Sequence, residues 1–169
     1  GIPIEIPSSI DTDFKVTARE IETAITSNTK ILMFSSPCNP SGTVYSKTEL
    51  EEIAKMLEKY PDIYIIADEI YEHINFTNKH FSIGTIPAIK ERVITVNGVS
   101  KGFAMTGWRV GFIGAPLWIA KACSKIQGQV TSATCSIAQK AAERAMSEEP
   151  ESISFMKDVF LKRRDLILE

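Results

Sequence analysis

Four short apolar runs, each closed by turn residues, mark the chain as strand-forming at Ile31 to Ser35, Ile63 to Ala67, Val93 to Val96 and Val110 to Ala115. Their apolarity is continuous rather than alternating, which predicts strands buried on both faces. Between the first two runs the period changes to that of a helix, with Leu50, Ile53, Ala54 and Leu57 on one side, Ser46 as N-cap and Glu49 completing a capping box. Strand, helix and strand in this order predict a right-handed βαβ unit. An earlier helix is expected from about Thr17, with Glu20 closing a second capping box, to Ser27, burying Ile21, Ala24 and Ile25. Further helices are expected from Pro116, from about Ser136 to Ser147, and from Pro150 to the end, two of them with proline at the first helical position. The last carries Ile153, Met156, Phe160 and Ile167 roughly on one face, and Trp118, Phe155 and Phe160 are expected in the core.

The residues from Val96 to Arg109 contain too little helix for a parallel crossover, so the fourth strand is expected to run antiparallel to the third. It then begins at the edge where its predecessor ended. In an open α/β sheet the ligand crevice lies beyond the carboxyl ends of the strands. The polar residues with chemical potential fall there. Asn39 lies in the loop Ser36-Pro37-Cys38-Asn39-Pro40-Ser41-Gly42; Asp68 ends the second strand with Tyr71 three positions on; Lys101 follows the third strand and Arg109 precedes the fourth. Each has a plainer reading. A Pro/Asn/Gly cluster is ordinary turn chemistry, Asp68 could be a helix N-cap beside a half-buried tyrosine, and lone lysines and arginines are mostly solvated. Their convergence at three strand ends favours a site: an amine that forms a Schiff base, a carboxylate for a pyridinium nitrogen, a phenol for a phenolate oxygen, and a guanidinium for a bidentate phosphate contact. Together they point to pyridoxal phosphate.

Composition narrows the field further. The formal net charge of -2, without a basic stripe, argues against nucleic acid. Three cysteines without C-x-x-C spacing argue against a disulfide framework or structural zinc and for a reducing, cytoplasmic setting. No segment suggests a membrane span, and the N-terminus has no signal-peptide pattern. Without an initiator methionine, and with its final helix lacking a stop signal, the chain is expected to be part of a longer protein. His73 and His80 are too few and too poorly spaced with carboxylates for a metal site, so no metal is expected. The glycine patterns Gly111-x-x-Gly114 and Gly98-x-x-x-Gly102 match neither dinucleotide-binding nor P-loop motifs, leaving a dinucleotide-binding module as a weak competitor.

At Asn39-Pro40-Ser41-Gly42, Asp68-Glu69-Ile70-Tyr71 and Ser100-Lys101-Gly102-Phe103-Ala104-Met105-Thr106-Gly107-Trp108-Arg109-Val110-Gly111 the sequence resembles the aspartate aminotransferase family of fold type I pyridoxal-phosphate enzymes. The resemblance implies an α/β fold, a three-layer αβα sandwich with a mostly parallel sheet and one antiparallel strand, here incomplete. Residues 1–149 would be part of the large cofactor-binding domain and 150–169 a helix leading to a missing small domain. It further implies that Lys101 is the catalytic, Schiff-base lysine, that Asp68 pairs with the pyridine nitrogen, that Asn39 and Tyr71 bond the phenolate oxygen, and that Arg109 holds the phosphate. Asn39 would also touch the substrate carboxylate. Some relatives carry a phosphate-binding serine where this chain has Gly98, and Ser100 is a candidate substitute. The implied activity is amino-group transfer between an L-amino acid and a 2-oxo acid by a homodimeric parent enzyme, with this chain inactive or nearly so in isolation. Within the same fold a C-S lyase or a cyclopropane-carboxylate synthase is the alternative; from another class, the aminotransferase-like sensor domain of a transcription regulator.

Overall fold

The computed structural model describes residues 1–77, 79–148 and 151–169. Four strands, β1 (Ile31–Ser35), β2 (Tyr64–Asp68), β3 (Val93–Gly98) and β4 (Gly111–Gly114), form one sheet in the order β1-β2-β3-β4. The first three are parallel and β4 runs antiparallel to β3, pairing Gly98 with Gly111. The short connection between β3 and β4 therefore does what its length requires.

Among the described residues five α-helices accompany the sheet: α1 (Ala18–Ala24), α2 (Lys47–Leu57), α3 (Leu117–Val130), α4 (Ser136–Ser147) and α5 (Glu151–Leu168). Both expected capping boxes are present. The hydroxyl of Ser46 accepts from the N–H of Glu49, whose carboxylate accepts from the N–H of Ser46, and Thr17 and Glu20 do the same. Glu49 also takes a hydrogen bond from Lys15 at 3.2 Å, so one carboxylate ties the start of α2 to the segment leading into α1.

The core lies on one face of the sheet. Ile65, Ala67 and Val93 point into it and meet Leu50, Ile53, Ala54 and Leu57 of α2 and Ile21 of α1. Leu57 and Ile65 are fully buried; burying such a side chain contributes on the order of 1.5–3 kcal/mol. On the opposite face Trp118 of α3 meets Tyr64 edge-on, with ring centroids 5.6 Å apart, so helices lie on both sides of the sheet.

Several expectations change. The helix α1 stops at Ala24 rather than Ser27, because Ile25 turns extended and the hydroxyls of Thr26 and Thr29 take the N–H groups of Asn28 and Thr26 in a tight turn. Pro116 is the N-cap of α3 rather than its first residue, and Pro150 lies outside the described residues. The edge strand β1 is not buried on both faces: Ile31 and Met33 are 56% and 73% exposed. Trp118, Phe155 and Phe160 are not core residues either, since neither α3 nor α5 buries any side chain fully. Periodicity marks an apolar helix face without supplying the surface that covers it. Along α5, Ile153 and Met156 are half-buried while Ile167 is exposed.

At the end of the sheet remote from the strand tips, Arg92 gathers loose backbone. Its guanidinium donates to the carbonyls of Leu57, Tyr60 and Ile63 at 2.7–2.8 Å, closing the carboxyl end of α2. Replacing Arg92 with alanine leaves three carbonyls without that donor. We expect Arg92→Ala to lower stability by about 2 kcal/mol or more, since hydrogen bonds to charged groups each contribute about 1.5–3 kcal/mol, read as a shift of the urea midpoint at unchanged slope.

Candidate active site

Parallel pairing in register brings Ser35, Asp68 and Val96 side by side at the carboxyl ends of three strands. Every loop bearing a candidate residue leaves from this edge or arrives at it.

Asn39 is exposed in the loop after β1, where the prolyl bonds Ser36-Pro37 and Asn39-Pro40 are both cis. The loop closes on itself: the N–H of Gly42 donates to the carbonyl of Cys38 at 2.8 Å, and that of Cys38 to the carbonyl of Thr43 at 2.9 Å. Gly42 does this at φ +73°, a conformation that side chains with a Cβ rarely adopt. The ring closure holds Asn39 over Tyr71, whose hydroxyl accepts a hydrogen bond from Asn39 Nδ2 at 3.4 Å.

Asp68 ends β2, as the sequence suggests, and turns rather than a helix follow it directly. Its Oδ1 accepts from the N–H of Ile70 at 3.0 Å, and successive turns from Glu69 to Glu72 and from Tyr71 to Ile74 carry the chain round. Tyr71 thereby faces Lys101, whose Nζ stands 5.8 Å from the tyrosine ring centroid. Lys101 occupies a turn of its own, anchored by fully buried Val99, whose carbonyl accepts from the N–H of Met105 at 3.3 Å. Asn39, Tyr71 and Lys101 are thus in one contiguous group.

Arg109 stands differently. It adopts φ 55°, is exposed, and donates from NH1 to the carbonyl of Thr106 at 2.8 Å. It lines an open groove of ≈ 670 Å³ whose far wall is the start of α4, including Cys135 and Ala138. The N–H groups of Ala138 and Ile137 pull the Cys135 thiol below its usual range. Cysteine at this N-terminus went unnoticed in the sequence because its chemistry depends on the helix behind it.

The structure accounts for Gly98. A Cβ there would stand 2.8 Å from the carbonyl oxygen of Val110 and 3.0 Å from the Cα of Gly111, so β3 and β4 approach too closely for a side chain. Ser100 is half-buried in the turn that bears Lys101.

Sequence reasoning also missed a cluster around His80. The Nε2 of His80 lies 2.9 Å from Glu69 Oε2 and 3.9 Å from Glu72 Oε2. One donor atom from each of the three lies within 4.8 Å of the others. The reading that His80 is poorly spaced with carboxylates fails because the segment after Tyr71 folds back, an event with no local signal. Glu69 is buried, 5% exposed. Glu72 also accepts from Asn97 Nδ2 at 2.7 Å. His73 packs edge-on against Phe103 with centroids 5.4 Å apart.

A match to the model of aminotransferase classes I and II covers residues 2–169, and the chain belongs to that family. Members of the family use pyridoxal phosphate. The chain is 39% identical over 170 residues to an aspartate/prephenate aminotransferase of Cereibacter sphaeroides, covering 99% of this chain and 42% of that protein. It is 45% identical to a probable aspartate/prephenate aminotransferase of Rickettsia typhi, covering 99% and 43%. An aromatic aminotransferase from Pyrococcus horikoshii superposes with a TM-score of 0.93 at 38% identity, covering 98% of this chain and 45% of that one. The aspartate aminotransferase of Thermus thermophilus with maleate gives 0.85 at 34%, covering 98% and 43%. The chain therefore spans less than half the length of these relatives.

Two outcomes follow from this geometry. Gly98→Ser forces β3 and β4 apart and is expected to cost about 1–3 kcal/mol, as overpacking does, measured by chemical denaturation. The hydrogen bond to Glu69 raises the His80 pKa; partial burial opposes it, and the charges of Glu69 and Glu72 add to it. Because the folded value exceeds the unfolded one, the pair's stabilisation is complete below about pH 6.5. It is lost as pH rises through the folded value. Thermal melts across neutral and alkaline pH should show this decline, and His80→Gln should remove it.

Proposed function

We propose that this chain is the cofactor-holding part of a pyridoxal-phosphate-dependent aminotransferase that moves an amino group between an L-amino acid and a 2-oxo acid. The observation that carries the reading is the contact group of Asn39, Tyr71 and Lys101 at the carboxyl edge of the sheet, beside Asp68.

The donor set fits the cofactor. A carboxylate at Asp68 suits a cationic ring nitrogen, and the Tyr71 hydroxyl and Asn39 amide suit an anionic ring oxygen. Asn39 is also placed in an exposed loop, where it can meet a substrate carboxylate. Arg109 offers a planar fork of N–H donors for phosphate, on rotation away from the carbonyl it now bonds. Lys101 offers the amine that holds the aldehyde carbon and carries a proton to and from the substrate α-carbon. The bound cofactor supplies the electron sink for negative charge at that carbon.

The names of the relatives support an aspartate-type or aromatic amino acid as donor. We read residues 1–149 as part of the large domain and 150–169 as the lead into a further domain, with turnover belonging to the longer parent. Exposed apolar residues along α3, among them Trp118, Ile126 and Val130, support a homodimeric parent. Three free cysteines support a cytoplasmic setting. Among the described residues no helix is long and apolar enough to cross a membrane.

Incubation with pyridoxal phosphate, borohydride reduction and peptide mass spectrometry test the reading directly. Stoichiometric label at Lys101, absent in Lys101→Ala, is the expected result. Label scattered over surface lysines in both proteins would overturn it.

A further inference from the structure

The residues between the cofactor candidates form a network of their own. Glu69 and Glu72 alternate in sequence with Asp68 and Tyr71, and Asn97 precedes the loop to Lys101. The network joins these pieces across the sheet edge. The N–H of Glu69 donates to the carbonyl of Val96 at 2.9 Å. The N–H of Glu72 donates to the carbonyl of Glu69, also at 2.9 Å, fixing the turn that carries Tyr71. Glu72 Oε1 then accepts from Asn97 Nδ2 at 2.7 Å, while Asn97 Oδ1 accepts from the N–H of Gly98 at 2.7 Å.

Asn97 is therefore a two-sided link. One end of its amide holds the Tyr71 turn through Glu72, and the other holds the first peptide on the path to Lys101. Gly98 is buried, so its N–H has a strong need for that acceptor. Glu72 is itself steadied by His80, which pairs with buried Glu69, and by His73, whose Nε2 lies 3.5 Å from Glu72 Oε1. A carboxylate accepting an amide N–H makes a charge-assisted bond, stronger than one between neutral groups.

We infer that Asn97, held by Glu72, is a positioning residue for Lys101: it sets the amine-bearing loop against the turn that carries Tyr71. The inference rests on the reading of Lys101 as the cofactor lysine. A displacement of about 1 Å between reacting groups can cost as much as a hundredfold in rate, so a link one residue long at the root of the loop controls the approach of the amine.

The test compares the wild-type chain with Asn97→Ala and Glu72→Gln by two readouts. The first is the rate at which pyridoxal phosphate becomes fixed at Lys101, quenched with borohydride and read by peptide mass spectrometry. The second is hydrogen–deuterium exchange of the Gly98 to Lys101 segment without cofactor. Asn97→Ala should slow fixation at Lys101 about tenfold or more and speed exchange in that segment. Glu72→Gln keeps an acceptor for Asn97 but loses its charge, and should produce smaller changes in the same direction. It also serves if Asn97→Ala fails to fold. A lower melting temperature with unchanged fixation and exchange would reduce the link to a structural role and overturn the inference. If the wild-type chain takes no label at Lys101, the functional reading falls instead. Exchange alone then decides the positioning claim, and unchanged exchange defeats it.

Discussion

The structure depends on the register of β2. Hydrogen-bonded on both sides, it fixes Ser35, Asp68 and Val96 in one row, and from that row the loops bearing Asn39, Tyr71 and Lys101 set out. A slip of one residue would turn Ile65 and Ala67 away from α2 and put Tyr64 and Ile66 against it. The core and the candidate site are thus two readings of one alignment: alternate residues of β2 fill the interior, and the strand's last residue is Asp68. Burial on the α2 side makes the slip costly and so protects the polar edge.

Beyond that row, polar contacts rather than apolar burial give the loops their shape. The segment after β1 closes through Cys38, Gly42 and Thr43; that after β2 turns on Asp68 and Glu69; that after β3 is rooted by Asn97 and buried Val99. Where β3 and β4 meet, the absence of a side chain at Gly98 permits the close approach that returns the chain to the sheet edge. A rigid sheet with loops held by directional bonds is an arrangement on which chemical groups can be set at defined distances.

Features determined by neighbours in sequence were legible in advance. Ser46 with Glu49 and Thr17 with Glu20 announce helix starts because both partners lie within one turn. The antiparallel β4 was legible because the connection from Val96 to Arg109 is too short for a crossover. Features that need a distant partner were not. Trp118 and Phe155 look like core residues on an amphipathic pattern, yet the pattern is silent about what lies opposite, and both are largely exposed. His80 meets Glu69 only because the chain between them doubles back, and no periodicity records that. Among the site residues, Asn39, Tyr71 and Lys101 come together as their positions after successive strands suggest, while the guanidinium of Arg109 rests on the backbone of its own loop.

The clasp formed by Arg92 has a consequence for how the molecule opens. One guanidinium holds the carbonyls of Leu57, Tyr60 and Ile63 and itself stands immediately before Val93, the first residue of β3. The end of α2, the lead into β2 and the root of β3 are thereby joined at a single node. Fraying that begins at any one of them must release the others, so these segments form one cooperative unit for local unfolding. At the opposite edge the loops are joined differently, through several small side-chain bonds such as Asn39 to Tyr71 and Asn97 to Glu72 rather than one guanidinium. Such a division gives the chain a base locked at one node and a rim whose linkage is spread over several bonds.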